Sequence, residues 1–176
     1  TDLLRKGRLT EAVEQFQLAL DEDPENAGAC NNLGVAYERL GRDDAQEQFK
    51  RAIMIQPDFA MAHFNLARLL LRNGHSEVAM RGFRQVLKIA PKHIEALNLL
   101  GRELGKQREF AEAELFLARA VELDPNHAEA QNNLGVVLAA QGKLQTSVEH
   151  FRAALSADPT HKRAAANLQS IQQQLP

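Results

Sequence analysis

The chain is predicted to be an all-α solenoid of antiparallel helix pairs that ends in a capping helix. Three observations predict it. Pro57, Pro91, Pro125 and Pro159 lie 34 residues apart, and Pro24 lies 33 residues before Pro57. The same landmark residues recur between those prolines. Apolar residues inside each interval follow helical spacing. A fixed period of this length marks stacked copies of one unit, because a single helix pair cannot bury its apolar faces alone.

The unit is clearest over 128–161. Numbering from 1 at Ala128 puts Leu134 at 7, Gly135 at 8, Gly142 at 15, Ser147 at 20, Phe151 at 24, Ala154 at 27 and Pro159 at 32. Leu134, Gly135 and Leu138 share one face of a first helix. Gly142 ends that helix, since glycine takes the left-handed cap conformation without steric cost. Phe151, Ala154 and Leu155 form the apolar stripe of a second helix, and Pro159 stops it. Gly135 and Ala154 are expected where the helices cross.

Leu134, Gly135, Gly142, Phe151, Ala154 and Pro159, with their counterparts elsewhere, resemble the tetratricopeptide repeat. The resemblance covers essentially the whole chain, expected as one array over 1–176. It implies a right-handed superhelix whose concave groove is lined by positions 2, 5, 6, 9, 12 and 13 of the first helices. It also implies protein binding and no catalysis.

In chain order, 1–26 is a partial copy with Gly7, Ala12, Phe16, Ala19 and Pro24 at positions 15, 20, 24, 27 and 32. Half of its first helix is missing, so the chain reads as a piece of a longer protein with further repeats upstream. The second copy, 27–59, carries Leu33, Gly34, Tyr37, Gly41, Ala45, Phe49, Ala52 and Pro57. Gly41 to Ala45 spans four residues where other copies span five, which predicts a shortened turn. The third copy, 60–93, carries Leu66, Ala67, Leu70, Gly74, Ala79, Phe83 and Pro91. The fourth, 94–127, has Arg108 in place of glycine at position 15 and Leu117 at position 24, beside Phe116. In 162–176, Ala164, Leu168, Ile171 and Leu175 form the stripe of a capping helix, with Gln169, Gln172, Gln173 and Gln174 turned outward.

Composition narrows function. The 176 residues are 44% hydrophobic and 25% charged, ordinary for a soluble chain, with the cytoplasm favoured over the periplasm. A net charge of −2 argues against general nucleic-acid binding. No apolar run reaches the length of a membrane span. The single cysteine, Cys30, permits no internal disulfide and reads as a packing residue. There is no phosphate loop, nucleophile elbow or metal-spaced Cys/His cluster, so neither an enzyme nor a cofactor is expected. His93, His127 and His161 all fall at position 34, about a repeat apart, and read as loop residues rather than ligands of one ion.

The groove positions carry the remaining signal. Position 6 holds Asn32, Asn65, Asn133 and Asn167; the fourth copy has Leu99 there, with Asn98 adjacent. An asparagine amide both donates and accepts, so a row of them can hold an extended peptide by its backbone. The row resembles the asparagine ladder in the repeat region of O-linked N-acetylglucosamine transferases. Arg68, Arg72, Arg102 and Lys106 occupy positions 9 and 13, and Arg39 occupies position 13 of the second copy. They make the middle of the groove basic and suit an acidic peptide. The alternative is a solvated face paired with glutamates such as Glu38 and Glu103. On the first view, reversing Arg68 and Arg72 is expected to leave stability little changed. The two-carboxylate clamp of heat-shock co-chaperones is not matched in either register: Asn31, Val35, Asn65, Glu95, Leu99, or Phe64, Arg68, Leu99, Glu129, Asn133.

The expected function is a non-catalytic protein–protein interaction scaffold that holds a partner peptide or protein in its groove. Two alternatives are the substrate-recruiting repeat region of a larger enzyme, such as a glycosyltransferase, and a scaffold that binds copies of itself. For the last, the short opening copy is expected to leave Val13, Phe16, Leu18 and Leu20 partly uncovered, forming a self-association stripe with Phe16, Val13 and Leu20 at its centre. Acidic residues around it (Glu11, Glu14, Asp21, Glu22 and Asp23) would meet the basic third copy of a neighbour.

Overall fold

Within the repeated copies, the helices end on local signals that the sequence repeats. The computed structural model describes residues 2–174, and all regular structure among them is helical. The chain divides into two compact units, Thr1–Pro91 and Lys92–Pro176, at the junction of the third and fourth copies. The first unit holds α1 (Asp2–Arg5), α2 (Leu9–Glu22), α3 (Ala27–Arg39), α4 (Ala45–Ile55), α5 (Ala60–Arg72) and α6 (Ser76–Ile89). The second holds α7 (Ile94–Lys106), α8 (Phe110–Leu123), α9 (Ala128–Ala140), α10 (Leu144–Ala157) and α11 (Lys162–Gln172). Within each unit, the two helices of a copy pack together, and each second helix packs on the next first helix.

The second helices end before proline as expected. Asp23, Gln56, Ala90, Asp124 and Asp158 precede the five repeat prolines and have left the helical region, with ψ of 91, 94, 81, 93 and 96°. The proline ring disfavours a helical preceding residue. The first helices end on residues with positive φ: Gly7, Gly41, Gly74 and Gly142 lie between 71° and 84°. Arg108 holds the same place at φ 66°, so an arginine does the work of the missing glycine.

The position-34 histidines are helix caps. His93, His127 and His161 accept hydrogen bonds at Nδ1 from the backbone N–H of Ala96, Ala130 and Ala164, at 3.2, 3.1 and 3.1 Å. Asn26 does the same for α3, accepting from Ala29 at 2.9 Å. An accepting Nδ1 is unprotonated, so Nε2 carries the hydrogen. His127 donates it to Glu95 and His161 to Glu129, both at 3.0 Å. Each of these two rings therefore starts one helix and ties it to the previous first helix.

The core is built from crossings. Phe49, Phe83, Leu117 and Phe151, all at position 24, are fully buried or nearly so. A Cβ added at Gly34 would lie 2.6 Å from Phe49, and one at Gly135 would lie 2.6 Å from Phe151. At Gly101 it would meet Leu117 at 2.6 Å, which makes Leu117, not Phe116, the crossing residue of the fourth copy. The third copy inverts the arrangement. It has Ala67 at position 8, and a Cβ on Gly82 in the second helix would lie 2.7 Å from the Cβ of Ala67. The glycine has moved across the interface.

Two expectations are corrected. The residue missing after Gly41 does not shorten the turn but the helix: five residues, 40–44, link α3 to α4 where three link the helices of the other copies, and α4 has 11 residues where α2, α6, α8 and α10 have 14. It starts on Ala45 itself, yet Ala45, Phe49 and Ala52 remain buried. Val13 and Leu20 are not an uncovered stripe. Both are 8% exposed and lie in one core cluster with Leu4, Leu33 and Tyr37, with Phe16 packed half-buried against it. Packing on α3 together with the short α1 covers them. Leu18, at 56%, is the exposed apolar residue of that helix. At the other end Ala164 and Ile171 are buried and Leu168 is partly so, while Leu175 lies outside the described residues.

Two expected outcomes follow from these local geometries. A non-glycine residue in the left-handed region costs roughly 1–2 kcal/mol, while glycine's extra freedom in the unfolded chain returns roughly 0.4–1 kcal/mol. Arg108→Gly is therefore expected to stabilise the chain by about 0.5–1 kcal/mol, measured by urea unfolding; a lower midpoint contradicts it. The second concerns protons. Burial pushes the imidazoles of His93 and His150 below their ordinary value. The folded state then binds fewer of these protons than the unfolded state, so their contribution is present above about pH 6.5 and is lost as pH falls below it. The melting temperature should drop between about pH 7.5 and about pH 5.5, and His93→Asn with His150→Gln should flatten that slope. A slope that the double substitution leaves unchanged contradicts the assignment.

Candidate functional site

The first helices bring the predicted groove residues onto one face of each unit, but the structure gives several of them internal work. The asparagine amides are paired between copies. Nδ2 of Asn65 donates to Oδ1 of Asn31 at 2.9 Å, Asn133 to Asn98 at 2.8 Å, and Asn167 to Asn132 at 2.9 Å. Asn65, Asn98 and Asn133 are buried, and Asn32 and Asn167 are half-buried. The expectation that the row presents its amides to a ligand is corrected accordingly. A buried amide left unpaired costs stability, so pairing across copies is what permits these residues there. The partners at position 5, Asn31 and Asn132, were signalled by the Asn-Asn doublets 31–32 and 132–133.

The cations are anchored in the same way. Glu38 is only 4% exposed at its side chain and receives Arg68 Nη2 at 2.8 Å and Arg72 Nη1 at 3.1 Å. Glu103, equally buried, receives Arg102 Nη2 at 2.9 Å and Lys106 Nζ at 2.8 Å. Burial would raise the Glu103 carboxyl, but the hydrogen bonds from Lys106 and Arg102 outweigh it and hold it below the usual range. Each carboxylate faces two cations, so each trio keeps a net positive charge. Arg39 is spent elsewhere, donating to the carbonyl of Leu4. The cations are thus paired with glutamates, as the alternative expectation had it, and each trio has one positive charge left over.

Concave space differs between the units. In the first, a cavity of about 390 Å³ sits beside the shortened start of α4, among Glu38, Arg42, Asp43, Glu47 and Arg72. Its charges are mixed, and Arg42 is already paired with Asp44 at 2.6 Å and stacked 4.0 Å from the ring centroid of Tyr37. In the second, a cavity of about 230 Å³ collects Arg102 and Lys106 from α7, Asn133 and Val136 from α9, and Arg163 from α11. Val136, Val137 and Ala140 supply an apolar floor. Val136 and Arg163 were not singled out by the sequence reading; they stand at groove positions 9 and 2 of their copies, which was the available signal.

Other candidate chemistry resolves into structure. Cys30 is buried, and that burial pushes its thiol pKa up, away from reactivity. Among the described residues, no group of three or more His, Cys, Asp or Glu is placed to hold a metal ion. No helix among them is long and apolar enough to cross a membrane.

Three family models match the sequence: one described as "TPR repeat" over residues 2–41, and two as "Tetratricopeptide repeat" over 42–103 and 98–162. Among curated proteins, the chain is 35% identical over 97 residues to "Protein O-mannosyl-transferase Tmtc3" of Drosophila melanogaster, covering 54% of the chain and 10% of that protein. It is 32% identical over 94 residues to "DnaJ homolog subfamily C member 3" of Homo sapiens, covering 53% and 19%. It is 27% identical over 111 residues to the human "Mitochondrial import receptor subunit TOM70", covering 58% and 18%. The chain therefore spans between a tenth and a fifth of these relatives. Among solved structures, it is similar to "YrrB: a TPR protein with an unusual peptide-binding site" at TM-score 0.75 and 23% identity, covering 93% of this chain and 85% of that one. It is similar to MamA from Desulfovibrio magneticus RS-1 at TM-score 0.77 and 22% identity, covering 91% of each. These structural likenesses concern the fold.

The buried Glu38 overturns the expectation that Arg68 and Arg72 can be reversed without cost. Arg68→Glu with Arg72→Glu would leave that carboxylate facing two like charges. A loss on the order of 3 kcal/mol is expected, moderated because both guanidinium groups are partly exposed. Adding Glu38→Gln should recover a large part of it. Equal chemical-denaturation midpoints for the double and triple variants contradict this account.

Proposed function

The chain belongs to the tetratricopeptide-repeat family, and from that premise we propose that it is an interaction module that holds a partner's extended segment on its first-helix face. It would do so without chemistry of its own. The observation that carries this reading is convergence. Arg102, Lys106, Asn133, Val136 and Arg163 come from three successive first helices and line one concavity. Two of its cations are held in place by a buried glutamate before any ligand arrives. Preorganised charge of this kind lowers the ordering cost of binding. A peptide-binding site in the structurally similar YrrB supports the reading by analogy of fold.

A second reading is favoured by one observation. The matched segment makes up a tenth of the Drosophila O-mannosyl-transferase. In that setting the same face would recruit substrate for a catalytic domain elsewhere in a longer chain.

The first reading is tested by screening the intact chain against an array of synthetic peptides, then titrating a binding peptide into isotope-labelled chain by NMR. Amide shifts are expected on α7, α9 and α11. Shifts concentrated on α8 and α10 would move binding to the second-helix face and overturn the reading, as would an array with no binder.

A further inference from the structure

The cavity of the second unit has a charge pattern that no resemblance supplies. α9 packs between α7 and α11, touching both. Val136 on α9 is 42% exposed and forms part of the floor. Arg102 and Lys106 stand on α7 at one side, and Arg163 stands on α11 at the other. Across three helices the order is cation, apolar, cation. Both flanks are anchored. Arg102 and Lys106 share Glu103, while Arg163 Nη1 meets Glu129 at 2.8 Å, a carboxylate also bonded by His161.

We propose that this cavity is a specificity pocket for one leucine-sized side chain of an extended partner segment, flanked on each side by an acidic residue. The inference rests on the proposed function and names its ligand chemistry. Size supports a single side chain: about 230 Å³ lies below the roughly 300 Å³ at which whole-ligand sites begin. Charge supports the flanks. The α7 rim, with Arg102 and Lys106 against Glu103, keeps a net positive charge for one ligand carboxylate. On the α11 rim Arg163 is balanced by Glu129, but its exposed guanidinium keeps N–H donors beyond those bonded to Glu129 and Asn133, and these can take the second. The separation of the cations onto two helices favours two internal acidic side chains over one terminal carboxylate.

The test uses the intact chain and fluorescein-labelled Ser-Gly-Asp-Leu-Asp-Gly-Ser, acetylated and amidated, read by anisotropy. Replacing the probe leucine by glycine should weaken binding about tenfold or more, the worth of burying one such side chain. Replacing both aspartates by asparagines should weaken it comparably and abolish its salt dependence. In the protein, Val136→Glu should abolish binding and Arg163→Gln should weaken it, while Val136→Ile, which keeps an apolar floor, should not. Circular dichroism of each variant checks folding. If array-selected peptides bind the first-helix face by NMR but ignore Val136→Glu and Arg163→Gln, the pocket inference fails and the broader reading survives. If nothing binds, both fail. If only an uncapped peptide ending in leucine binds, the flanking side-chain assignment is overturned. If the chain instead associates with itself, and both Val136→Glu and Leu18→Gln abolish that association, the occupant is a second copy and the peptide assignment is overturned.

Discussion

The structure depends on one close approach, repeated: a residue with little or no side chain on one helix against a large one on its partner. Gly34 faces Phe49, Gly101 faces Leu117, and Gly135 faces Phe151, each with no room for a Cβ. Close approach lets the big side chain fill the crossing and become fully buried. It also fixes where each helix must begin and end. The second helix is positioned by that contact, and the next first helix then packs on its outer side. Caps, turns and groove positions follow from it.

Much of this was legible in residue order because the fold is periodic, so an error in one copy is checked by the others. Prolines, glycines at position 15 and apolar stripes marked where the helices stop and which faces they bury. What stayed hidden were substitutions whose meaning lies across an interface. Ala67 looks like a conservative change until Gly82 is seen opposite it. Arg108 looks like a lost turn, yet its backbone adopts the glycine conformation because the neighbouring contacts require it. The short α1 gave no sign in sequence that it would suffice, with α3, to bury Val13 and Leu20.

The groove was half legible for the same reason. Residue types at positions 6, 9 and 13 picked out one face of the first helices, but type does not say what a side chain spends its bonds on. The asparagines spend their donors between copies. The arginines at first sight spend theirs on glutamates, but Glu38 and Glu103 are each outnumbered two to one. A buried carboxylate here acts less as a neutraliser than as a fixed post that aims cations at the open side. That arrangement trades freedom of the long side chains for orientation, which is what recognition of a charged segment needs.

The shortened α4 has a wider consequence. The missing residue removes a turn of helix from its start, yet Ala45, Phe49 and Ala52 keep their buried places. The segment between Gly41 and Ala45 therefore acts as a slip joint, absorbing a change in length before it reaches the packed face. Arrays built this way can drift in length at such joints without losing phase. The same joint offers a natural place to splice in a label or a short foreign loop, because the helices on either side take their alignment from the crossing of Gly34 and Phe49 and not from the peptide that links them.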